Sequence, residues 1–99
     1  MDLKIKEDAD IISITVNGII EMANIRDFKD TLFEVCQDTE KNIDIDLSNV
    51  NYIDSSGIAF LLTLLKDQKK KGKNLSIKKI STQVFNILKL SSISDVFGI

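Results

Sequence analysis

Histidine is absent from this chain of 99 residues, and cysteine occurs once, at Cys36. Without histidine there is no Ser-His-Asp triad and no His-ligated zinc. A single cysteine makes neither an intramolecular disulfide nor a CxxC site, which fits a reducing compartment. Glycines at 18, 57, 72 and 98 are too scattered for a P-loop or a GxGxxG turn. A net charge of −2 gives no overall pull toward nucleic acid or anionic membranes. Met1-Asp2-Leu3-Lys4 lacks the basic and apolar regions of a signal peptide, and the longest apolar run, Ile58 to Leu65, is too short to span a bilayer. The expectation is a cytoplasmic protein that neither inserts into membranes nor binds nucleic acid.

What is present suits one small α/β domain covering 1–99. Apolar residues make up 43% and charged residues 28%, enough to bury a core without metal or disulfide support. Leu3-Lys4-Ile5 alternates, and Ile12, Ile14 and Val16 alternate with Ser13 and Thr15, the period of half-buried strands. These two runs predict an N-terminal antiparallel hairpin. Asn17-Gly18 is a turn signal that leads into a short extended piece, Ile19-Ile20-Glu21. Asn24 followed by Asp27 has the form of a capping box, and Ile25, Phe28, Leu32 and Val35 then make a helical stripe. Cys36 lies beside that stripe and reads as a small buried hydrophobe.

Ile43-Asp44-Ile45-Asp46-Leu47 is strand-like, with both aspartates on one polar face rather than paired for acid–base work. A second helix runs from about Ser56 to Lys71, with Ile58, Leu61, Leu62 and Leu65 facing inward. Phe60 and Ile58 are its residues expected at the surface. The lysines at 66 and 69–71 complement the helix dipole, and Gly72 closes the helix. Leu75-Ser76-Ile77 reads as a strand. Ser81 caps a third helix that buries Val84, Phe85, Leu88 and Ile87, and Val96 to Ile99 reads as a closing strand. Strands alternating with helices imply a mixed, mainly parallel sheet with helices packed on it.

Between the third strand and the second helix stands Asp54-Ser55-Ser56-Gly57. Asp and Ser cap helices because their oxygens accept bonds from the free N–H groups of the first turn. A helix start at the carboxyl edge of a sheet also tolerates anions. A phosphate on Ser55 or Ser56 would add roughly −1.5 to −2 charges there. Residues alone favour the plain cap, because capping serines are common. No constellation for catalysis, cofactor or metal emerges.

The segment Asp46-Leu47-Ser48-Asn49-Val50-Asn51-Tyr52-Ile53-Asp54-Ser55-Ser56-Gly57-Ile58 closely resembles the signature of the STAS domain family. It is most similar to that of the single-domain anti-sigma factor antagonists of the SpoIIAA and RsbV kind. The resemblance implies a STAS-type α/β fold and a protein-binding switch rather than an enzyme. Its implied partner is a serine kinase anti-sigma factor, which supplies the ATP and inactivates the antagonist by phosphorylation; a PP2C-type phosphatase reverses the step. It makes Ser55 the phosphoacceptor and Ser56 and Gly57 the completion of the helix start. Asp46 and Asp54 become acids lining the site. Glu21 stands where many relatives carry an Asp after an early glycine. Ile53, Ile58 and Phe60 are the expected partner contacts. Relatives usually continue into a last helix; this chain reads as lacking it, which leaves apolar surface for a homodimer or another partner. An unphosphorylated accessory subunit of a transport or signalling complex is the alternative.

Overall fold

The computed structural model describes residues 1–37 and 39–90. Its elements run β1 (Asp2–Glu7), β2 (Ile11–Ile20), α1 (Ile25–Gln37), β3 (Asn42–Ile53), α2 (Ser55–Lys70), β4 (Leu75–Ile80) and α3 (Thr82–Leu90). The strands form one sheet in the order β1-β2-β3-β4, with β1 antiparallel to β2 and the other pairs parallel. This is the mixed α/β sheet entered through an antiparallel hairpin that the alternation implies. The strand expected over 96–99, and with it the expected lack of a final helix, lies outside the described residues.

Alternation on β2 and β3 buries Ile12, Ile14, Val16, Ile43, Ile45 and Leu47 against the helices. Their neighbours Ser13, Thr15, Asp44 and Asp46 line the other, open face together with Lys78 and Lys79. Stacking joins α1 to α2 over the core: the Phe28 and Phe60 rings meet edge to face at 5.5 Å, and Phe33 meets Phe60 at 5.4 Å. Beyond Leu47 the buried positions of β3 become Val50 and Ile53, a spacing of three. There β3 has left its pairing with β4, which ends at Leu47, and α3 takes over the vacated edge. The Ser81 hydroxyl donates to the Val50 carbonyl at 2.6 Å while accepting from the Val84 N–H, so this expected cap also anchors α3 to the strand. Val84 and Leu88 are buried beneath α3, and Phe85 and Ile87 are half-buried.

Three local expectations are corrected. Asn17-Gly18 does not turn the chain, because β2 runs through it to Ile20. Register shifts flank the pair, and Gly18 takes φ +105°, so the positive dihedral serves a bulge. Asn24 does not reach forward into a capping box. Its Oδ1 accepts from the Glu21 N–H at 2.9 Å and its Nδ2 donates to the Ile19 carbonyl at 2.7 Å, bracing the β2–α1 loop. The face of α2 is rotated: Gly57, Phe60, Leu61, Leu64 and Gln68 are buried, whereas Ile58, Leu62 and Leu65 are half-buried.

The far end of α2 closes as the glycine implies. Gly72 has φ +71°, its N–H reaches the Lys69 carbonyl, and the Lys73 N–H reaches that of Gln68, a Schellman closure. Cys36 is buried, and desolvation pushes its thiol above the ordinary value, so it packs rather than reacts. Among the described residues no helix is long and apolar enough to cross a membrane.

Candidate functional site

Parallel strands β2 and β3 both end at the same edge of the sheet, and each hands over to a helix through a short connection. The two connections meet at Asp54. Its backbone is extended (φ −91°, ψ −179°), and its N–H donates to the Ile20 carbonyl at 3.0 Å, fixing it beside the end of β2. Its Oδ1 accepts from the Gly57 N–H at 3.1 Å, the N-cap bond to the third helical residue. The same oxygen accepts from the Ser56 hydroxyl at 2.5 Å. Oδ2 points the other way and accepts from the Met22 N–H at 2.9 Å. One carboxylate therefore starts α2 and holds the β2–α1 loop. These bonds, that from Ser56 foremost, keep the Asp54 carboxyl below its ordinary value against the opposing effect of desolvation.

The two serines differ. Ser56 is half-buried and committed to Asp54. Ser55, at the first helical position, is exposed, and its hydroxyl has no hydrogen-bond partner among the described residues. Both oxygens of Asp54 are occupied and its pKa is lowered, which makes it a poor base for activating Ser55. Ser55 is thus an accessible hydroxyl at an anion-tolerant helix start, with no built-in activation.

Gly57 is explained by packing: a side chain here would meet the sheet and not a partner's backbone. A Cβ at this position would lie 2.7 Å from Ile20 Cγ2 and 2.7 Å from Ile53 Cγ1. The glycine lets the first turn of α2 sit directly on the last inward residues of β2 and β3. This contact sets the phase of the helix, so the buried face continues through Leu61, Leu64 and Gln68.

The expected site residues separate accordingly. Asp54, Ser55, Ser56 and Gly57 are together, and Glu21 is half-buried in the loop that Asp54 holds. Asp46 is elsewhere: it lies on the open sheet face, on the order of 25 Å down the strand at ~3.3 Å per residue. Desolvation raises its pKa, but bonds from Ser48 and the charge of Lys79 outweigh this and leave it lowered. Ile53 is only 1% exposed, pinned beneath Gly57, and so presents nothing to a partner. Phe60 is also buried, at 4%, rather than at the surface. Only part of its ring shows, in a groove of about 290 Å³ shared with Lys29, Phe33, Ser56, Ala59 and Thr63. Ile58 is half-buried. The exposed apolar side chains at this edge are instead Met22 (76%), Tyr52 (47%) and Ile19 (41%). The sequence does not mark them as exposed because apolar residues in or beside strands look like core; the signal available was Tyr52, which carries a polar tip two positions before the cap.

Asp54 gives the site a pH signature. A carboxyl with a lowered folded pKa adds stability that is fully present above its unfolded value, ordinarily about 3.9, and is lost as pH falls through the folded value. Urea unfolding of wild type and Asp54→Asn should therefore differ at pH 7 and converge as the solution is taken well below pH 4. A difference independent of pH would contradict the ionised cap.

The family model described as "Mlab, STAS domain" matches residues 3–98. An anti-sigma-B factor antagonist from Staphylococcus epidermidis is 22% identical over 90 residues, spanning 91% of this chain and 83% of its own. One from Staphylococcus aureus (strain NCTC 8325 / PS 47) is 23% identical over 86 residues, 87% of this chain and 80% of its own. Among solved structures, an anti-sigma factor antagonist from Mycobacterium paratuberculosis superposes with a TM-score of 0.83 at 18% identity, covering 97% of this chain and 81% of that one. The unphosphorylated form of the anti-sigma factor antagonist SpoIIAA gives 0.78 at 11% identity, covering 95% and 84%. At these identities the superpositions speak for the fold.

Proposed function

This chain belongs to the STAS domain family, and from that premise we propose that it is an anti-sigma factor antagonist switched by phosphorylation of Ser55. In this reading the unmodified chain sequesters a serine kinase anti-sigma factor. The kinase transfers the terminal phosphate of ATP to the Ser55 hydroxyl and is released, and a PP2C-type phosphatase returns the serine. The chain itself is substrate and ligand, not catalyst.

The observation that carries the reading is the contrast between the serines. Ser56 spends its hydroxyl on Asp54, while Ser55 is exposed and unbonded at the helix start. The dipole of that turn favours negative charge, so a dianion on the exposed Ser55 side chain is accommodated without unfolding the helix. The relatives named anti-sigma-B factor antagonists support the class of partner.

Incubation with the cognate serine kinase anti-sigma factor and ATP, followed by peptide mass spectrometry, tests it. One phosphate is expected, on Ser55, retained in Ser56→Ala and lost in Ser55→Ala. Label on Ser56 would overturn the site. No label at all, with a partner that binds regardless of phosphatase treatment, would leave the accessory-subunit reading in its place.

A further inference from the structure

An enzyme that modifies Ser55 must bring its active site to within bonding distance of that hydroxyl, and its surface then lies over whatever surrounds the helix start. Two apolar surfaces border it. One is the α1–α2 groove, where the Phe60 ring is already engaged by Phe28, by Phe33 and by Lys29 Nζ at 5.9 Å from its centroid. The other is the rim formed by Met22 and the cross-strand pair Ile19–Tyr52, whose Cα atoms are register partners. Ile20 and Ile53 turn inward beneath Gly57, so Ile19 and Tyr52 turn outward one residue before the two connections begin.

The rim is a built feature. Met22 is the most exposed apolar side chain at this edge, yet its backbone N–H is held by Asp54 and its loop is braced twice by Asn24. An exposed apolar residue on a braced loop is a ready-made anchor, because its backbone is already ordered and only side-chain freedom remains to be lost on binding. We infer that Met22, Tyr52 and Ile19 form the contact surface for the kinase that acts on Ser55, and that Asp54 is the positioning residue holding Met22 in that surface. The inference rests on the proposed function and adds the side of the molecule from which the kinase approaches. It replaces Ile53 and Phe60, which are buried, as the partner contacts.

Steady-state phosphorylation of the full chain by the cognate serine kinase anti-sigma factor and ATP separates the possibilities. Met22→Ala and Tyr52→Ala are each expected to raise the KM for the chain about tenfold with kcat unchanged, as lost contact area does. Phe33→Ala, in the groove, is expected to leave KM as it is. Asp54→Asn should raise KM, and the double variant Asp54→Asn/Met22→Ala should be no worse than the poorer single variant. All four positions except Asp54 are exposed, and unfolding curves confirm that each variant is folded at the assay temperature. Wild-type KM in Met22→Ala and Tyr52→Ala, or a rise in Phe33→Ala alone, would overturn the rim while leaving Ser55 as the acceptor. Fully multiplicative effects of Asp54 and Met22 would overturn the positioning role. A wild-type chain that is not labelled on Ser55 would remove the proposed function itself, and the rim with it.

Discussion

Gly57→Ala is expected to destabilise the chain by about 1–3 kcal/mol, although alanine is the better helix former. At an ordinary helical position the change would stabilise by ~1 kcal/mol. Here the new methyl would sit 2.7 Å from both Ile20 Cγ2 and Ile53 Cγ1. Neither atom is the loose end of a flexible side chain, and both isoleucines are buried. Either α2 lifts off the sheet at its first turn or the isoleucines leave their rotamers, and overpacking of this kind costs about 1–3 kcal/mol in well-packed cores. For a domain of this size each kcal/mol moves Tm by roughly 4–8 °C, so a thermal melt reads the effect directly. The sign decides the role of the glycine. A rise in Tm would mean that the seat of the helix on Ile20 and Ile53 does not require a glycine.

The alternating strands and the helix start are legible because each rests on local chemistry. Ile12, Ile14 and Val16 alternate whatever surrounds them, and Asp54 precedes two serines and a glycine at the end of a strand. What the sequence conceals is fixed by contacts across the chain. Asn17-Gly18 has the composition of a turn, but Asp2 pairs with Asn17 on one side and β3 continues on the other, so the pair is absorbed as a bulge. The segment from Ile58 to Leu65 is apolar on almost every face, so its periodicity carries no phase. The phase comes from Gly57 against Ile20 and Ile53, which argues for counting a glycine in the first helical turn as part of the buried face.

Proximity in sequence misleads in a related way. Asp46 and Asp54 both flank the motif, yet the extended strand separates them, leaving Asp54 just past the end of β3 and Asp46 within it on the open face with Lys79. Met22 is thirty-two positions from Asp54 and bonded to it. The candidate site is therefore an edge of the sheet rather than a segment of chain. Asp54 makes it one unit: removing its charge affects the start of α2 and the placement of Met22 together.

Ser55→Asp should weaken binding to the cognate serine kinase anti-sigma factor by about 30- to 1,000-fold while leaving the fold intact. The stability side follows from position. Ser55 is the first residue of α2, exposed and unbonded, so no native bond is lost. A negative charge there gains ~0.3–1 kcal/mol from the helix dipole, which repulsion from neighbouring Asp54 offsets. The unfolding midpoint should hence shift by no more than a surface substitution does, within ~0.5 kcal/mol. The binding side follows from what surrounds the charge. In the proposed contact, Met22, Tyr52 and Ile19 offer a partner mostly apolar area, and the Asp54 carboxylate already stands next to Ser55. Closing a partner over a second would strip its hydration without supplying a counter-charge, a cost of about 2–4 kcal/mol for an unpaired interfacial charge, at ~1.4 kcal/mol per tenfold in affinity. Ser55→Asn, similar in size but uncharged, should keep most of the affinity, and isothermal titration of the two variants beside wild type measures the difference. Equal losses for Asn and Asp would mean that shape rather than charge is read at this position, and the phosphate would then act by bulk.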